Sequence, residues 1–125
     1  MPSGSETILL VDDDPDILEV SKEILEIFGY IVHGVSSRQE AITFYKENKD
    51  AVSLIILDMI MPGISESKTL DLLWEIEPSA KIILSSGYSL EDQAKQIIAK
   101  GYRGFIQKPF DMVQISRTVR EVLDG

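Results

Sequence analysis

Five short apolar runs, each about the length of a strand, recur along the chain with longer mixed stretches between them. They lie at 7–11 (TILLV), 30–35 (YIVHGV), 53–57 (SLIIL), 81–85 (KIILS) and 104–107 (GFIQ). Three are nearly continuous apolar segments, the pattern of strands covered on both faces. Between them the spacing becomes helical. In the first stretch Ile17, Val20, Ile24, Leu25 and Phe28 predict a core-facing stripe, closed by Gly29 as a C-terminal cap. The second opens on Ser37-Arg38-Gln39-Glu40, a capping-box pattern, and continues through Ala41, Ile42, Phe44 and Tyr45. The third holds Leu70, Leu72, Leu73, Trp74 and Ile76 and stops before Pro78. The fourth carries Ala94, Ile97, Ile98 and Ala99 and ends at Gly101. The last starts from Asp111, an N-cap candidate, and runs through Val113, Ile115, Val119, Val122 and Leu123.

Strict alternation of strand and helix implies right-handed crossovers and a parallel sheet with helices on both faces. The expected fold is α/β: a (βα)5 doubly wound, five-stranded parallel sheet of order 2-1-3-4-5, flavodoxin-like. No linker or repeat divides it, so one domain is expected over 7–125, after a small, polar, disordered leader at 1–6 (MPSGSE). The 125 residues suffice for one core, and 44% hydrophobic with 26% charged residues is a globular composition.

Charge and cysteine content narrow the function. The absence of cysteine excludes disulfides, thiol catalysis and cysteine-held metals. A formal net charge of −9 argues against direct contact with nucleic acid and is compatible with a metal cation or a basic protein surface. No apolar run approaches a membrane span, so no membrane insertion and a cytoplasmic setting are expected.

In sheets of this kind ligands bind beyond the carboxyl ends of the strands. The first strand runs into Asp12, Asp13 and Asp14, the third ends in Asp58, the fourth in Ser85 and Ser86, and the fifth in Lys108-Pro109. The predicted order makes these strands neighbours, so carboxylates, a hydroxyl and an ammonium converge. Crowded carboxylates raise one another's pKa, and a hard divalent cation with oxygen ligands removes the conflict. A lysine and a hydroxyl beside it suit phosphoryl transfer to a carboxylate. Asp14, followed by Pro15, also reads as a helix N-cap.

The segments LLVDDDPDI, LIILDMIMPG, IILSSGY and GFIQKPF, in this order, resemble the signature segments of the response-regulator receiver domain of two-component signalling, over about residues 7–123. The resemblance implies that Asp58 accepts a phosphoryl group from a sensor histidine kinase or phosphotransfer domain. It implies Mg2+ (or Mn2+) held by Asp12, Asp13, Asp58 and the backbone carbonyl of Ile60, Asp13 being the more direct of the acidic pair. Lys108 would bind phosphate, before a proline that in the family commonly follows a cis peptide. Ser86 would be the switch hydroxyl and Phe105 the switch aromatic, acting on the surface of helix 4, strand 5 and helix 5. A monomer, or a dimer on phosphorylation, is implied, with the downstream target left open. Three departures stand out. Ser65 and Glu66 replace the usual Asp-Gly turn, predicting an unusual or mobile loop over 63–69; Ile60 is apolar where some relatives carry an amide or acid; and Phe105 lacks a tyrosine hydroxyl.

Other readings fit less well. A flavin carrier needs a phosphate-cradling loop after the first strand, where aspartates would repel the ligand. A hydrolase with an aspartate nucleophile usually has an acid two residues on, where Ile60 stands. A non-phosphorylated, receiver-like protein-binding module is the alternative that an intact Asp/Asp/Lys set argues against. His33, Trp74 and Tyr45 read as packing residues, and Tyr88 as a residue at the pocket's edge.

Overall fold

The computed structural model describes residues 2–125. Strands β1 (Thr7–Val11), β2 (Ile31–Val35), β3 (Val52–Asp58), β4 (Ile82–Ser86) and β5 (Gly104–Gln107) alternate with helices α1 (Pro15–Ile27), α2 (Arg38–Asn48), α3 (Glu66–Ile76), α4 (Ala94–Ala99) and α5 (Met112–Asp124). All strand pairs are parallel and the order is β2-β1-β3-β4-β5, as the alternation predicts.

The continuous apolar runs are explained by burial on two sides. Successive side chains of a strand point to opposite faces. Leu9, Val11, Ile55, Leu57, Ile82 and Leu84 therefore pack with Tyr45, Leu73, Ile97 and Tyr102 on one face. Ile8, Leu10, Leu54, Ile56, Ile83 and Ile106 pack with Leu25, Phe28, Ile115 and Val119 on the other. Each fully buried aliphatic side chain contributes about 1.5–3 kcal/mol. Ile8 to Val11 together thus hold β1 inside the sheet, between β2 and β3, and carry the acidic segment behind it into place.

Caps define the helix starts. Asp14, Ser37, Ser65 and Asp111 each accept backbone N–H bonds from the first turn of the helix that follows. Only half of the capping box on α2 forms: Ser37 Oγ accepts from Glu40 N at 3.0 Å, while the Glu40 carboxylate takes the Ser36 hydroxyl at 3.2 Å.

Two helices depart from the predicted stripes. On α1 the core takes Ser21, Leu25 and Phe28, and Val20 is 54% exposed. Leu25 and Phe28 belong to the predicted stripe and Ile24 packs against the same cluster, so it is the Val20 edge of the stripe that turns to solvent. On α4, which is only six residues long, Ile97 is buried but Ile98 is 52% exposed. The segment 1–6, expected as a disordered leader, makes specific contacts from Ser3 onward. Gly4 N–H donates to the Phe28 carbonyl at 3.0 Å, Arg120 donates to the Ser3 carbonyl at 3.1 Å, and Arg120 pairs with Glu6 at 2.6 Å. Among the described residues no helix is long and apolar enough to cross a membrane.

Candidate functional site

The carboxyl ends of β1, β3, β4 and β5 meet in a cavity of about 690 Å3 lined by Asp12, Asp13, Asp58, Ile60, Ser86 and Lys108, among others. Asp12 and Asp58 are buried, whereas Asp13 is exposed. Each of the three offers a carboxylate oxygen within 4.8 Å of the others. Lys108 Nζ bridges Asp12 Oδ2 at 3.0 Å and Asp58 Oδ1 at 3.1 Å. Asp12 also accepts the Asp14 N–H at 2.9 Å, which turns the chain into α1. Burial pushes the Asp58 carboxyl up, Lys108 opposes it, and the Asp12 charge adds to it. Burial works against the Lys108 ammonium, but its hydrogen bonds to Asp12 and Asp58 outweigh that and hold its pKa up. Three carboxylates with one ammonium between them leave an excess of negative charge, and the oxygen-only donor set fits a hard divalent ion such as Mg2+ or Mn2+.

The model of the response regulator receiver domain family matches residues 8–120. The chain belongs to that family. It is 34% identical over 122 residues to the sensor kinase CckA of Brucella abortus, covering 98% of this chain and 13% of the kinase. It is 29% identical to the chemotaxis protein CheY of Thermotoga maritima, covering 92% of this chain and 95% of that protein. The chain thus spans only 13% to 28% of the length of several larger curated relatives, CckA and the transcriptional regulators PgtA and DctD among them. A receiver domain from Clostridium thermocellum superposes with a TM-score of 0.85 at 28% identity, covering 95% of this chain and 94% of that one. The CheX–CheY–BeF3–Mg2+ complex from Borrelia burgdorferi gives a TM-score of 0.84 at 26% identity, covering 94% and 88%.

The other residues that the family resemblance singles out fall partly inside and partly outside this cavity. Ser86 is buried at the end of β4, lines the cavity, and its Oγ accepts the Tyr88 N–H at 3.0 Å. Ser85 lies opposite Asp58 in the sheet register, with its carbonyl bound by Met59 N–H at 2.8 Å, and does not line the cavity. The backbone N–H of Lys108 donates to the Ser86 carbonyl at 2.7 Å, and the Lys108–Pro109 peptide is cis. Ile60 and Tyr88 stand at the rim, 59% and 64% exposed. Phe105 is outside the cavity, half-buried against the β4–α4 side of the core. His33 stacks on Phe44 with ring centroids 3.8 Å apart, and the Trp74 indole N–H donates to the Ala80 carbonyl at 3.1 Å; both are packing residues.

The loop over 63–69 is ordered by conventional means at its far end. Ser65 Oγ caps α3 through Lys68 N–H at 3.1 Å, and Thr69 Oγ1 donates to the Ser65 carbonyl at 2.7 Å. Glu66, in place of a glycine, takes the hydroxyl of the buried Tyr102. One functional candidate is not apparent from the sequence: Arg38, 3% exposed, whose guanidinium reaches into the β3–α3 loop. A signal was present, because a cation in the first turn of a helix opposes the helix dipole and so implies a partner elsewhere.

Proposed function

We propose that this receiver domain takes a phosphoryl group onto Asp58 from the phosphohistidine of a sensor histidine kinase or phosphotransfer domain. A carboxylate oxygen of Asp58 forms the new O–P bond, the N–P bond of the donor breaks, and the departing imidazole keeps the electron pair and takes up a proton. Asp12, Asp13, Asp58 and the Ile60 carbonyl are the residues that would hold Mg2+ or Mn2+. The bound ion supplies neutralisation of the negative charge that gathers on the phosphoryl oxygens. Lys108, already within ion-pair distance of Asp58, gives a point positive charge for the same oxygens. The Ser86 hydroxyl offers them a hydrogen bond, and Ser86 and Phe105 carry the change to the α4–β5–α5 surface. The ammonium bridging Asp12 and Asp58, with Asp13 in reach, is the observation that carries this reading.

The same reading places the domain in the cytoplasm, as a monomer or a dimer on phosphorylation, with an acidic surface unsuited to nucleic acid. The test is intact mass after incubation with acetyl phosphate, with and without Mg2+. A Mg2+-dependent gain of one phosphoryl group, absent in Asp58→Ala, is expected. No gain in any condition would leave a non-phosphorylated binding module instead.

A further inference from the structure

We infer that Arg38 is the positioning residue of the acidic site, its buried guanidinium gathering the carbonyls around Ile60 so that the Ile60 carbonyl alone is left for a cation. The inference rests on the proposed metal-assisted reading of the site. Arg38 Nη2 donates to the Met59 carbonyl at 2.8 Å and the Asp58 carbonyl at 3.2 Å. Its Nη1 donates to the Ile64 carbonyl at 2.9 Å and, at a longer 3.5 Å, to that of Met61. Among residues 58, 59, 60 and 61, only the carbonyl of Ile60 accepts no hydrogen bond from the described residues. Ile60 itself lines the cavity together with Asp12, Asp13 and Asp58, so its unbonded carbonyl lies beside the acidic site.

The guanidinium has no ion pair among the described residues, so carbonyl dipoles alone compensate a charge taken out of water. A charge buried on those terms is held only where the acceptors stay in place, and they in turn are held by it. The fork of donors on a planar guanidinium fixes several acceptors at set angles, which an ammonium does not. The composition of the loop gives this bracing a purpose. Beyond Gly63, residues 64–69 (ISESKT) contain no glycine, and the Ile64 carbonyl just past it is held from α2 by Arg38.

The test is Mn2+ affinity, read by water-proton relaxation enhancement, on the wild-type chain and on Arg38→Met, Arg38→Lys and Val119→Ala. Val119 lies in the core on the far face of the sheet and serves as a destabilised control. Arg38→Met should weaken Mn2+ by about tenfold or more, as loss of a ligand-orienting residue does. Arg38→Lys should recover part of that loss, and Val119→Ala should lower Tm while leaving the affinity within about twofold of wild type. Arg38→Met binding Mn2+ as wild type does overturns the inference and leaves the reading of the site standing. If Arg38→Met does not fold, Arg38→Lys decides: unchanged affinity overturns the inference, weakened affinity upholds it. A wild-type chain that binds no Mn2+ overturns the reading of the site and this inference with it.

Discussion

Arg120 shows how much one side chain ties together at the edge of the molecule. It pairs with Glu6 at 2.6 Å and with Asp124 at 2.8 Å, and it donates to the Ser3 carbonyl, linking the first residues to α5. The Arg120 hydrogen bonds hold the Glu6 carboxyl down at about 2. A carboxyl depressed in the folded state contributes stability that is present above its ordinary value, about 4.3, and is lost as pH falls through the folded value. Both groups are partly exposed and screened by solvent, so the pair is worth about 0.5–1 kcal/mol. Glu6→Gln should therefore be less stable than wild type by that amount at pH 7, with the gap closing as the pH falls toward 2. Chemical denaturation of both proteins across that range checks it.

At the level of elements, the turns that close and open helices carry separable costs. Gly101, just past α4, has φ of +111°, and a Cβ there would meet the Trp74 ring at 2.7 Å. Gly63, in the β3–α3 loop, has φ of +98°, but a Cβ there would meet nothing within 4 Å. Gly63→Ala should cost about 1–2 kcal/mol for backbone strain alone. Gly101→Ala adds overpacking against the indole and should cost about 2–4 kcal/mol. Thermal unfolding of the two variants side by side separates the contributions, and equal losses would contradict the packing argument. Ser65→Ala removes the α3 cap and should cost about 1 kcal/mol, read the same way.

For the molecule as a whole, the crowding of acids makes stability depend on cations. Any ion that binds the folded state alone stabilises it by mass action, about 2.7 kcal/mol at a hundred times its dissociation constant. Saturating Mg2+ should raise Tm, and Asp13→Asn should abolish most of that rise without loss of Tm in its absence, because Asp13 is exposed and makes no ion pair among the described residues. Differential scanning calorimetry with and without Mg2+ is the measurement. A net charge of −9 also predicts that monovalent salt stabilises the metal-free chain modestly, by screening repulsion.

Strand and helix placement was legible in the residues alone, because period-two burial and 3.6-residue spacing are local consequences of backbone geometry. The convergence of Asp12, Asp13, Asp58 and Lys108 with a serine of β4 followed from one further step, the sheet order, since strand ends in a parallel sheet lie along one edge. The choice of Ser86 over Ser85 came from the family resemblance. The face of α1 that reaches the core was legible in Ile24, Leu25 and Phe28, but its edge was not: Val20, placed on the same stripe, is left in solvent. Nor was the role of Arg38, which depends on carbonyls 20 to 26 residues away. Periodicity records which side of an element is apolar, whereas the partners of a buried charge are set by where other elements end, and that is decided only when the chain is packed.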